Sequence, residues 1–165
     1  MPYFVTLTVA GWIDVFNRRE YIEILIESLK YCQRIKGLKI YAYVVMSSHL
    51  HLIVRHEDAR LGEILRDFKS YTAKVLLKCI LENPYESRRE WMMYLFRYYA
   101  KPLRQNKEYM FWQKTNHPIE LANTGMFEQK MSYIHNNPVK AGIVDQAENY
   151  MYSSAYPFSE IKVEE

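Results

Sequence analysis

The run from Tyr41 to Arg55, Tyr-Ala-Tyr-Val-Val-Met-Ser-Ser-His-Leu-His-Leu-Ile-Val-Arg, constrains this chain more than any other segment. Its β-branched and aromatic residues, broken once by Ser47-Ser48, read as two strands over 39–46 and 49–54 joined in a hairpin. Residues i and i+2 of a strand project from one face. His49 and His51 therefore point the same way, and Leu50 points the other way into packing. Two imidazoles side by side on a strand are a ready pair of metal ligands, and they can equally line a half-exposed sheet face.

The flanking sequence supplies the remaining elements. Residues 3–9 read as a first strand. Residues 19–35 form a helix, with Ile22, Leu25, Ile26, Leu29 and Cys32 at helical spacing and Lys36-Gly37 at its end. A second helix spans 62–81, offers Ile64, Leu65, Phe68, Val75, Leu76 and Ile80 to the core, and stops at Asn83-Pro84. A third helical stretch covers 87–100, and residues 108–113 suggest a short last strand. Asn123-Thr124-Gly125 opens a helix over 126–136 that Asn137-Pro138 closes. The fold class is α+β: a ferredoxin-like split β-α-β plait with an antiparallel sheet and helices on one face, plus an extra helix and a C-terminal tail. The 165 residues fit one domain, 1–165, with the tail 143–165 packing on it.

A net charge of +3 permits a nucleic-acid partner without demanding one. Its distribution is more pointed. Between Ser87 and Lys114 lie seven basic residues, Arg88, Arg89, Arg97, Lys101, Arg104, Lys107 and Lys114, against Glu90 and Glu108. Trp91, Tyr94, Phe96, Tyr98, Tyr99, Tyr109, Phe111 and Trp112 are interleaved with them. Such a segment suits single-stranded nucleic acid, and a solvated amphipathic helix has the same composition. Cys32 and Cys79 have neither zinc spacing nor the look of a disulfide framework, which fits a reducing cytoplasm. No signal peptide or membrane span is evident.

The second informative segment is Tyr133-Ile134-His135-Asn136-Asn137-Pro138-Val139-Lys140-Ala141-Gly142. Tyr133 and Asn137 are four residues apart and share a helix face, while Phe127, Met131 and Ile134 form a separate apolar stripe. Taken alone, this is also how a surface tyrosine beside a helix-ending Asn-Pro looks. A phenol and a carboxamide over a histidine pair would make a compact nucleophile-plus-metal site. His135 falls near the apolar stripe and reads as a packed residue. His56 reads as a loop histidine, and His117 either reaches the site or holds a turn.

His49-Leu50-His51 followed by Tyr-Ile-x-x-Asn-Pro-Val-Lys-Ala-Gly resembles the single-tyrosine HUH transposases, and most closely their REP-associated tyrosine transposase branch. Phe111-Trp112-Gln113 and Tyr152-Ser153-Ser154 extend the resemblance over most of the chain. It implies that His49, His51 and Asn137 ligate a divalent metal, Mg2+ or Mn2+, and that Tyr133 is the nucleophile that becomes linked to DNA. Lys130, three residues earlier, is a candidate to favour the phenolate. Ser47-Ser48 departs from the Pro-Asn or Pro-Glu that many relatives carry there.

The reaction implied is cleavage and rejoining of hairpin-flanked single-stranded DNA through a 5′-phosphotyrosine. Arg88, Arg89, Arg97, Lys101, Arg104, Lys107, Trp112 and Lys114 are the candidate DNA-binding residues. A monomer is expected, with a homodimer as the other possibility. Two further readings compete: a domesticated, non-catalytic hairpin-DNA-binding module, and a phosphodiesterase that uses water as nucleophile.

Overall fold

The computed structural model describes residues 1–103 and 107–165. The main elements among them are β1 (Tyr3–Thr8), α1 (Arg19–Lys36), β2 (Lys39–Val45), β3 (His49–Arg55), α2 (Leu61–Glu82), α3 (Arg89–Ala100), β4 (Ile119–Glu120) and α4 (Thr124–Lys140). The sheet runs in the order β2-β3-β1-β4. β1 and β2 each pair antiparallel with β3, which lies between them. The β1-α1-β2 unit is therefore split by β3, as the plait requires.

Alternation along the strands sorts side chains into two cores. Val5, Leu7, Tyr43, Val45, Leu50, Leu52 and Val54 pack with Leu25, Ile26 and Leu29 of α1 and Leu65, Phe68 and Leu76 of α2. Phe4, Ala42, Val44, Met46 and Ile53 pack with Ile134 of α4, and Phe127 and Met131 close over them. α1 and α2 thus cover one face and α4 the other, whereas the sequence pattern puts the helices on one face only. The cause lies in β2 and β3, which are buried over almost their whole lengths. Strands apolar on both sides need cover on both.

Local chemistry sets the helix ends. Gly37 terminates α1 at φ 72°, and its N–H returns to the Cys32 carbonyl. Asn123 caps α4 by accepting the Met126 N–H at 2.9 Å. Pro138 does not close α4, which runs through it to Lys140. A proline in the last turn costs one intrahelical hydrogen bond, and its buried ring repays part of that by packing.

Residues 108–113 do not form the last strand. They make one bridge, Val9 to Trp112, flanked by the Ala10 N–H on the Phe111 carbonyl and the Gln113 N–H on the Thr8 carbonyl. Adjacent strand residues must face opposite sides, yet Phe111 and Trp112 both enter the same core, so the segment cannot stay regular. The fourth strand is Ile119–Glu120, against Tyr3 and Phe4. The tail lies along the outer edge of β2: the Val45 N–H donates to Tyr152, the Ser154 N–H to Tyr43 and the Glu164 N–H to Ile40. Among the described residues no helix is long and apolar enough to cross a membrane.

Candidate active site

β3 presents His49 and His51 on the face that α4 covers, opposite Thr8 and Thr6 of β1. Their ring centres are 4.6 Å apart. His51 is buried, and its Nδ1 lies 2.9 Å from Thr6 Oγ1. Its Nε2 is buried as well, with no hydrogen-bond partner among the described residues. Leaving a buried ring nitrogen unpaired is costly, and an unprotonated nitrogen there holds a lone pair available to a cation. Burial, then the nearby His49 and the Lys130 charge, pushes His51 down to about 3, so it is neutral at physiological pH. Burial also lowers His49, which the Asn137 side chain opposes by hydrogen bonding to it. Ser48 Oγ lies 3.2 Å from His49 Nδ1, so the serine of the departing dipeptide touches the first histidine.

α4 forms the roof. The Tyr133 ring lies 5.3 Å from the His51 ring at 73°, and Tyr133 remains 43% exposed, open to a ligand. Phe4 is the floor between them, stacked on His51 at 5.3 Å and edge-on to Tyr133 at 5.9 Å. Lys130 Nζ sits 4.7 Å from the Phe4 ring centre and 5.5 Å from that of Tyr133. Lys130, Tyr133 and Asn137 all lie within α4, three and four residues apart in turn, and share a face. His49, His51, Lys130, Tyr133 and Asn137 thus converge. Two neutral imidazoles and an amide oxygen are a donor set that suits a divalent ion, and the orphaned His51 Nε2 is the atom such an ion would satisfy.

The basic segment divides. Arg88 pairs with Asp14 at 2.8 Å and with the buried Glu86 at 3.3 Å. Arg89 donates to the Ile80 and Asn83 carbonyls at the end of α2. Trp112 is only 5% exposed, and its Nε1 donates to Thr72 at 3.0 Å. These three hold α2, α3 and the N-terminal loop together, and the buried Trp112 ring is not open to a base. Arg97 is exposed beside Tyr109 and Glu108, and Lys101 lies 5.8 Å from the Tyr98 ring centre. Lys107 and Lys114 line an open groove of about 1010 Å³ with Arg66, Lys69 and Tyr109. Arg104 lies outside the described residues.

The other histidines have structural partners or sit apart. His56 Nε2 meets the Lys36 carbonyl at 3.0 Å and its Nδ1 accepts the Asp58 N–H. His135 meets Ser154 Oγ in the tail at 2.9 Å. His117 sits at φ 45° in the loop before β4. The sequence reading did not reach Phe4, Thr6 or Trp12. The signal for the first two was present: they alternate with buried Val5 and Leu7, which puts them on the histidine face.

Known proteins agree with this architecture at two levels. In fold, the chain is similar to a REP-associated tyrosine transposase whose structure was solved bound to a REP hairpin. The TM-score is 0.60 at 21% identity, over 93% of this chain and 75% of that one. It is also similar to a candidate transposase from Deinococcus radiodurans, with a TM-score of 0.50 at 15% identity over 82% and 89% of the two chains. In sequence, the family described as "Transposase IS200 like" matches residues 5–113, and the chain belongs to that family. That match takes in His49 and His51 and ends before α4. A comparison with curated proteins gives no match.

Proposed function

We propose that this chain cleaves and rejoins single-stranded DNA next to a hairpin, with Tyr133 as the nucleophile. The observation that carries the reading is the exposed Tyr133 phenol set against a buried, neutral histidine whose Nε2 has no partner among the described residues. His49, His51 and Asn137 would hold a divalent ion, Mg2+ or Mn2+, which when bound polarises a non-bridging phosphate oxygen.

The Tyr133 oxygen attacks phosphorus and the P–O3′ bond breaks. The phenolic proton passes to solvent, and the leaving 3′ oxygen takes one up. The products are a 5′-phosphotyrosine and a 3′-hydroxyl. The Lys130 ammonium, 5.5 Å from the tyrosine ring centre, favours the oxygen as it becomes anionic. The phosphodiester is kept in the adduct, so an incoming 3′-hydroxyl can reverse the step and join strands, which hydrolysis by water cannot do.

The hairpin bound by the REP-associated relative supports the same class of partner here. Lys107 and Lys114, with Arg66, are the basic residues offered to its backbone, whereas Lys69 is held by the Gln113 and Lys114 carbonyls and by Asn116; Arg97 on α3 and Lys101 just past its end lie exposed. α4 packs on the sheet of its own chain and sets Tyr133 against that chain's His51, which supports action as a monomer.

The test is covalent trapping with Mn2+ and labelled hairpin oligonucleotides drawn from DNA flanking the gene, read on a denaturing gel. An adduct with the wild type that is lost in Tyr133→Phe and in His49→Ala supports the reading. Tight hairpin binding with no adduct points to a non-catalytic binding module. Cleavage that survives Tyr133→Phe points to water as the nucleophile.

A further inference from the structure

After β1 the chain makes a 3₁₀ turn, Ala10–Trp12, that ends beside His49. The residues around this turn are sealed in the core: Ala10, Ile13, Val15 and Phe16 are each at most 3% exposed. Trp12 is 62% exposed. Looseness does not explain this. The Val9 N–H donates to Ser48, Ala10 to Phe111, Trp12 to Val9 and Phe16 to Ser47, all at 2.7–2.9 Å. The loop is pinned on both sides and holds the indole out.

The backbone makes the choice of residue stranger. Trp12 sits at φ 57°, directly after Gly11 at φ 65°. This left-handed region suits glycine and is an outlier for a bulky side chain. Gly11 has its own reason to be there, since a Cβ on it would lie 2.4 Å from the Tyr99 ring. Trp12 takes the same conformation with a large side chain that lies against His49. Strain of this kind persists where function requires the side chain.

The ring's position gives that function. Its centre is 5.9 Å from that of His49 at 69°, while Tyr133 lies against His51, the other histidine of the pair. An exposed, rigidly held indole next to a phosphate-handling site offers a flat π-face to an unpaired base. Resting on the single-stranded DNA reading above, we infer that Trp12 stacks an unpaired nucleobase close to the scissile phosphate and so sets the strand's position on the site.

The test uses the whole chain with a labelled single-stranded poly-dT oligonucleotide and an abasic strand of the same length. Trp12→Gly removes the ring and suits the left-handed backbone, so its melting temperature stays level or rises. The wild type is expected to bind poly-dT roughly ten-fold more tightly than the abasic strand. Trp12→Gly loses that preference, and Trp12→Phe keeps part of it. A preference unchanged in Trp12→Gly overturns the inference. Equal weakening on both strands overturns it too, because the indole would then only be holding the loop. Where the wild type forms its covalent adduct, these failures count against Trp12 alone. A wild type that forms no adduct and binds neither strand fails at the level of the proposed function and takes the Trp12 role with it.

Discussion

The Thr6 hydroxyl holds one ring nitrogen of His51, and the other, Nε2, has no partner among the described residues. The hydroxyl lies 2.9 Å from Nδ1, and an Nδ1–H donated to it leaves the lone pair on Nε2. Thr6→Val keeps the shape and removes the acceptor. Calorimetric Mn2+ affinity is expected to fall roughly ten-fold and to recover in Thr6→Ser; an unchanged affinity in Thr6→Val would reject the role. His51 also ties stability to pH. Its folded value of about 3 lies below the ordinary 6.5, so between these values the unfolded chain binds a proton that the folded chain refuses. In chelator, the histidine's contribution is full above 6.5 and is lost as pH falls toward 3. Melting scans should show His51→Gln less sensitive than the wild type across that window. His49 and His51 were legible in sequence because strand alternation is local. Thr6 was not, since its partner is 45 residues away and only the β1–β3 register brings them together. Trp112 misled for a related reason: composition lists aromatics without saying which side of a loop they occupy.

At the scale of elements, α4 carries half the site on modest anchorage. Ile134 and Pro138 are its only buried residues. Its start therefore leans on the Asn123 cap, and Asn123→Ala should cost about 1 kcal/mol in urea unfolding, with Asn123→Asp close to neutral. A loss of only a few tenths would show that sheet packing alone fixes the helix. The Tyr133–Asn137 spacing and the Phe127, Met131, Ile134 stripe could be read from sequence because both follow the helical repeat. The passage of α4 through Pro138 could not, since a proline forbids one hydrogen bond and its context decides whether the helix ends. β4 was equally hidden: Ile119 and Glu120 are both exposed and too few to show a period.

Across the whole molecule, charge is divided between two grooves. One of about 670 Å³ between α1 and α2 carries Glu23, Glu27 and Asp67 against a single Lys36, a net acidic lining that disfavours phosphate. The other carries Arg66, Lys69, Lys107 and Lys114. Hairpin binding should weaken steeply with salt, and Lys107→Ala with Lys114→Ala should reduce the slope of log affinity against log salt by about 1 to 2. An unchanged slope would place the backbone elsewhere. Because α4 packs on its own chain's sheet and sets Tyr133 against His51, adduct yield per molecule should not depend on protein concentration, and a second-order dependence would point to exchange of α4 between copies.

A β-sheet ends in two rows of peptide groups that a stranger's strand can extend. Here the outer row of β2 is occupied by residues 152–164, and the outer side of β1 by 111–120. Removing the tail should therefore do more than lower stability. It would bare a long edge on strands that are apolar on both faces, and light scattering should show slow growth of sheet-rich aggregates. By occupying that edge, the tail denies it to a strand of another copy.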